Sequence, residues 1–215
     1  MQVVLIGAAG FVGKAILKEL LERGHHVTAV VLNSNSLPAQ QGLNIVEGNV
    51  RNTDHLSAVI EGHDVLISAF NAGWQNPNLY QDFLTGSRAI QTGVKQAGIK
   101  RLIVSGGAGS LYLNGSQLVD SPAFPSEWKA GATAARDYLN ELKGEVQLDW
   151  VFVSPAIEMH PGTSGIRKGT YRIGSDNPVF DDNGKSVISV EDLAVSIVDE
   201  MEQPKHSRQR FTVAY

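Results

Sequence analysis

The stretch Gly7-Ala8-Ala9-Gly10-Phe11-Val12-Gly13 is where this sequence first offers chemistry. Its GxxGxxG spacing departs slightly from the GxGxxG pattern of dinucleotide-binding turns but suits the same task. Gly7 lets the chain turn sharply off a strand, Gly10 removes a side chain where backbone must approach a pyrophosphate, and Gly13 lets a helix pack closely on the sheet. Free amides at the start of that helix, with the positive end of its dipole, would face the phosphates. Any tight turn uses glycine, so the flanks decide. Val3 to Ile6 reads as a buried strand before the turn, and Val12, Ile16, Leu17, Leu20 and Leu21 repeat at helical spacing after it. The expectation is an NAD(P)-binding turn contacted through Gly7, Ala9, Gly10, Phe11, Val12 and Gly13.

Further contacts are expected where later strands end. Leu32 closes the second strand, where an acid would bind the adenosine ribose or an arginine the extra phosphate of NADP. Neither marker is present, and the missing carboxylate leans toward NADP. Asn33 and Ser34 offer neutral hydrogen bonds to either cofactor, as would an ordinary polar loop. Asn49 and Val50 follow the third strand at the adenine edge. Ala69, Phe70 and Asn71 follow the fourth, flanking the ribose and nicotinamide side. Ser105, Gly106 and Gly107, then Ser154, Pro155 and Ala156, follow the next two and face the nicotinamide pocket. Ser105 is the best-placed hydroxyl there and the catalytic candidate, although a serine ending a strand commonly just satisfies backbone groups. Trp74, Trp128, Phe70 and Tyr112 are candidate apolar walls for an acceptor, or core and lid packing. His160 follows the sixth strand, as a proton donor or a solvent-facing loop residue.

Several chemistries are excluded. The chain has no cysteine, which removes disulfides, thiolate nucleophiles and Cys-based metal sites. His25 and His26 are adjacent and precede a strand, so the histidines predict no metal. No GxSxG turn is present for a serine nucleophile.

The elements that must position these residues alternate along the chain. Strands are expected at Val27–Leu32, Leu43–Glu47, Val65–Ala69, Arg101–Ser105 and Leu148–Val153. Helices are expected after Val12, then over Thr53–Ile60, Leu79–Gln96 and Trp128–Leu142. This alternation predicts an α/β fold, a Rossmann-like doubly wound parallel sheet with helices on both faces. Residues 156–188 are rich in Gly, Pro, Asp, Asn and Ser and read as a small cap over the strand ends, with a strand-like piece at Thr170–Ile173. Ser189 reads as the N-cap of a helix through Met201, with Asp192 completing an imperfect capping box, and Phe211–Val213 as a last strand. Residues 1–215 form one domain on this reading. The net charge of -4 and scattered basic residues give no reason to expect nucleic acid or an anionic membrane as partner. A cytoplasmic protein, monomer or homodimer, with a small-molecule acceptor is expected.

These residues together resemble the atypical short-chain dehydrogenase/reductase superfamily. More narrowly they are similar to the bacterial NADH-flavin reductase family, relatives of NmrA-like and biliverdin-reductase-B-like proteins. Beyond the glycine turn, the resemblance rests on Ser68-Ala69-Phe70-Asn71, the run Gly106 to Leu111, the run Asp149 to Pro155, and the ending Arg210 to Tyr215. It covers essentially the whole chain. It implies NAD(P)H as cofactor and a flavin or quinone-like acceptor, with free flavin as a substrate. Related proteins often carry arginine where Leu32 stands. Carbonyl-reducing members use a YxxxK pair, and here Tyr80, Tyr112, Tyr138 and Tyr171 are followed four residues on by Leu84, Ser116, Leu142 and Ser175. The alternatives are a non-catalytic NmrA-like dinucleotide sensor and an NAD-dependent epimerase/dehydratase-like enzyme, the latter disfavoured by the missing pair and the small cap.

Overall fold

Val3 and Leu5 on the first strand, β1 (Gln2–Ile6), join one buried cluster, while Val4 and Ile6 join another across the sheet. A strand covered on both faces needs apolar residues at every position, which is why this run does not alternate. The computed structural model describes residues 1–215. After β1 come α1 (Phe11–Glu22), β2 (His26–Val31), β3 (Leu43–Glu47), α2 (Thr53–Ile60), β4 (Val65–Ser68), α3 (Leu79–Gln96) and β5 (Arg101–Ser105). A small hairpin, β6 (Tyr112–Leu113) and β7 (Ser116–Gln117), precedes α4 (Ser126–Leu142). Then follow β8 (Asp149–Ser154), β9 (Arg172–Gly174), α5 (Val190–Glu202) and β10 (Gln209–Ala214).

The main sheet runs β3-β2-β1-β4-β5-β8-β10-β9, parallel throughout except for β9, which pairs antiparallel with β10. Ile16, Leu17 and Leu20 of α1 and Leu193, Ala194 and Ile197 of α5 cover one face. Leu56 and Ile60 of α2, Phe83 and Ile90 of α3, and Tyr138 and Leu139 of α4 cover the other. The fold is Rossmann-like, and its strand order reverses between β1 and β4, the place where such sheets open a crevice for ligands.

Several boundaries differ from expectation. The strand expected over Val27–Leu32 covers His26–Val31, so Leu32 lies just beyond it. Helix α4 starts at Ser126 rather than Trp128, because Pro125 caps it in an extended conformation. β8 covers Asp149–Ser154 rather than Leu148–Val153, and the strand expected at Thr170–Ile173 is β9, Arg172–Gly174. Residues 156–188, expected over the strand ends, lie in part elsewhere. β9 extends the sheet, Arg167 reaches Glu19 on α1, and the Lys168 and Gly169 amides donate to Asp192 on α5. Ser189 caps α5 as expected, its hydroxyl oxygen accepting from the Asp192 amide at 3.1 Å.

Candidate functional site

Gly7 sits at φ +81°, where a side chain is strained, and a Cβ there would lie 2.3 Å from the Ala69 carbonyl oxygen. A Cβ on Gly13 would lie 2.0 Å from the Gly7 carbonyl oxygen. These two glycines let the β1–α1 turn fold onto itself and against the end of β4. Gly10 differs. A Cβ there would meet only the Gly7 oxygen, at 3.3 Å, and otherwise project into open space in front of the helix start. Gly10 is the N-cap of α1 with no side chain capping it, and the amides of Phe11, Val12 and Gly13 have no acceptor within the chain. Helices α2 to α5 carry Asp54, Asp82, Glu127, and Glu191 with Asp192 in their first turns; α1 alone carries no acid there. Its positive end is thus left for an external anion.

Sheet pairing brings the other strand ends to this edge. Ile6 pairs with Ser68, Ser68 with Val104, and Ser105 with Val153, so the turns after β1, β4, β5 and β8 lie side by side. Ala69, Phe70 and the half-buried Ser105, Gly106 and Gly107 therefore converge with Gly7. Asn71 is exposed and folds back to accept the Gly73 amide at 2.7 Å. Ser154, Pro155 and Ala156, expected to face the nicotinamide pocket, are all buried. The Ser154 hydroxyl lies 3.5 Å from that of Ser110, which accepts from the buried Arg210 guanidinium at 3.1 Å. Arg210 also holds Asp176, so it braces the turn after β5 from behind. Nothing in the sequence around Arg210 pointed to this, because its partners are distant in the chain.

Where the adenosine was expected, Leu32 is 75% exposed, and Asn33 accepts the Asn35 amide at 2.9 Å to shape the loop. Both the amide and hydroxyl of Ser34 donate to Glu47 Oε2 at 3.1 Å. Glu47 was not among the expected residues, although an acid ending the neighbouring strand was a visible signal. Asn49 Oδ1 accepts the Arg51 amide, Val50 is buried, and Arg51 pairs with Asp82 at 2.6 Å. Asn76 and then Arg51 hold the Asp82 carboxyl below its ordinary range.

Among the residues expected to wall an acceptor, Phe70 is half-buried and packs 6.0 Å from Phe83, so it serves the core. Trp74 and Trp128 are 58% and 50% exposed. The Trp74 ring lies against Gly131, one turn beyond Trp128 on α4, so both indoles flank the start of that helix. Tyr112 is exposed on the hairpin. Tyr80, Tyr171 and Tyr215 donate to Asp137, Asp199 and Asp192. The bond to Asp137 pushes the Tyr80 phenol up, and burial does so first for Tyr138, Tyr171 and Tyr215. His160 is exposed, and its Nδ1 accepts the Gly162 amide, capping a short turn. A separate cleft of about 550 Å³ lies on the outer side of α1, beside Phe11, Lys14, Arg167 and Val190. Among the side chains, no cluster of His, Asp or Glu suits a metal ion.

A family model described as NAD(P)H-binding matches residues 7–204. The uncharacterised protein YwnB of Bacillus subtilis is 36% identical over 99% of this chain and 98% of its own. A candidate epimerase from Bacteroides thetaiotaomicron superposes with a TM-score of 0.90 at 42% identity, covering 100% of this chain and 96% of that one. A candidate NADH-flavin reductase from Streptococcus pneumoniae superposes at 0.85 with 32% identity, covering 100% and 99%.

Proposed function

The chain belongs to the NAD(P)H-binding family, and from that premise we propose that it is a reductase passing hydride from NAD(P)H to a flavin or quinone-like acceptor. The observation that carries the cofactor reading is the acid-free start of α1, where three amides lack acceptors behind the open space at Gly10. A dinucleotide pyrophosphate fits that cradle by charge and by room. When bound, a reduced nicotinamide supplies hydride, two electrons carried with one hydrogen nucleus. The Phe11, Val12 and Gly13 amides would hold the pyrophosphate, and the turns at Ala69 and Ser105–Gly107 would line the nicotinamide side.

The acceptor reading rests on what these residues do not provide. A carbonyl oxygen gains negative charge as hydride arrives and needs a tuned acid. Tyr80, Tyr171 and Tyr215 are tied to carboxylates and pushed up rather than down, Tyr138 is buried, and Tyr112 on the hairpin has no lysine four residues on. A fused-ring acceptor delocalises the charge itself and takes its proton from water, so positioning carries the reaction. Trp74 and Trp128 supply exposed flat surfaces for such a ring. The likeness to a candidate NADH-flavin reductase supports the same choice.

Purified protein should oxidise NAD(P)H when FMN, FAD or a quinone is added, and leave simple aldehydes and ketones almost untouched. Robust ketone reduction that is lost in Ser105→Ala would overturn this acceptor assignment. Tight dinucleotide binding without turnover across flavins and quinones would favour the sensor. Sugar-nucleotide conversion without net cofactor oxidation would favour the epimerase suggested by the Bacteroides relative.

A further inference from the structure

We propose that Glu47 sets the cofactor preference, and sets it toward NADH. This rests on the reading that a dinucleotide's adenosine end lies beside Leu32 and Ser34. In many dinucleotide folds a carboxylate ending the second strand accepts the ribose hydroxyls and repels a 2′-phosphate. Here Leu32 stands at that place, and considered alone it leans toward NADPH.

The pairing of β2 with β3 alters the picture. Val31, the residue before Leu32, is in register with Glu47. The carboxylate absent from β2 is thus supplied from the adjacent strand, one residue away across the ladder. Glu47 Oε2 accepts both the amide and hydroxyl of Ser34, each at 3.1 Å, which fixes the group on this loop. Its Oε1 has no partner in the protein and is free to accept a ribose hydroxyl. The loop 32–42 contains neither lysine nor arginine. Arg51, the one cation in the turn after β3, is engaged by Asp82. A 2′-phosphate would therefore meet a held carboxylate with no cation from these segments to offset it.

The size of the effect follows from Coulomb's law. A phosphate carrying nearly two charges, roughly 5 Å from a carboxylate in water-like surroundings, is disfavoured by about tenfold. The test is to measure dissociation constants for NADH and NADPH on the full chain by nicotinamide fluorescence, for the native protein and for Glu47→Gln, Leu32→Arg and Gly10→Val. The native protein should hold NADH about tenfold more tightly than NADPH. Glu47→Gln should remove most of that ratio, mainly by tightening NADPH, and Glu47→Gln combined with Leu32→Arg should reverse it. A native preference for NADPH, or a ratio unmoved by Glu47→Gln while Gly10→Val abolishes both, overturns this proposal and leaves the reductase reading standing. Failure of the folded native protein to bind either dinucleotide overturns both.

Discussion

Gly10 and Gly13 are glycine for different reasons. At Gly13 the Gly7 carbonyl lies 2.0 Å from where a Cβ would sit, whereas a Cβ on Gly10 meets only that oxygen, at 3.3 Å, and the space beyond is where we propose the pyrophosphate binds. Substitution should separate the two roles. Gly13→Ala forces backbone apart and is expected to cost about 2–3 kcal/mol, read as a lower denaturant midpoint. Gly10→Val keeps an extended φ of -78° and ψ of 173°, which valine adopts readily, so the protein should fold. Its dinucleotide affinity should fall by about a hundredfold or more as the side chain fills the pyrophosphate cradle. Calorimetry showing unchanged affinity in folded Gly10→Val would remove the central claim about this turn. Ser105→Ala tests the chemistry at the same scale. If positioning dominates, kcat with flavin should drop by less than about tenfold, well short of the loss that removal of a general acid gives.

Helix α1 works as an element because its two ends are treated differently. Its start carries no acid, while Glu19 near its far end is buried between Arg23 and Arg167. The Arg167 contact holds that carboxylate below its ordinary range against the opposing cost of burial, and Arg23 adds to it. Arg23 also reaches Asp199 and Glu202, tying α1 to α5. Glu19→Gln would leave two guanidiniums facing a neutral amide, at a cost of about 2–3 kcal/mol, since Arg167 is half-exposed. Urea unfolding against the native protein reads this directly. The other end permits a test in which stability and binding part company. Phe11→Glu places an acid on an exposed first-turn position, which favours the helix by roughly 0.3–1 kcal/mol through its dipole. The same charge would repel a phosphate at this helix end, so NADH affinity should fall by about tenfold while the midpoint holds or rises. A variant that binds as tightly as the native protein would argue against this helix end as the anion site.

For the molecule as a whole, one acid-sensitive contact pins two helices to each other on the sheet's second face. Burial opposes ionisation of Glu145, yet Lys95, the Gln147 amide and Gln91 outweigh it and hold the carboxyl at about 2. Lys95 and Gln91 lie on α3, whereas Glu145 follows α4, so this group joins the two helices. A depressed folded-state value stabilises the protein fully above the ordinary value of 4.5, and the benefit is lost as pH falls toward about 2. The contribution is up to about 3 kcal/mol. Denaturant midpoints measured from pH 6 down to pH 2, at ionic strength fixed near ~0.1 M, should therefore fall steeply below about 4.5. In Glu145→Gln the midpoint at neutral pH should already be lower and the acid slope shallower. Parallel slopes for the two proteins would show that the group does not carry this dependence.

How much of this was legible in one dimension depended on the range of the interactions. The β1–α1 turn, the buried strands and the edges of α2 and α3 were readable because glycine placement and apolar periodicity are local consequences of backbone geometry. Ser189 as a cap was readable for the same reason, since its partner is three residues away. The burial of Ser154 was not, because it depends on Ser110 and Arg210, both distant in the chain, meeting beside it. The path of residues 156–188 was not either: Arg167 finds Glu19 and the Gly169 amide finds Asp192 only once α1 and α5 lie together. Glu47 shows the division most sharply. Its type and position at the end of a strand were visible, but strand pairing alone sets it beside Val31 and Ser34. Local chain stiffness thus wrote the glycine turn and its free amides into the sequence, while the carboxylate beside Val31 and Ser34 was decided by which strands became neighbours.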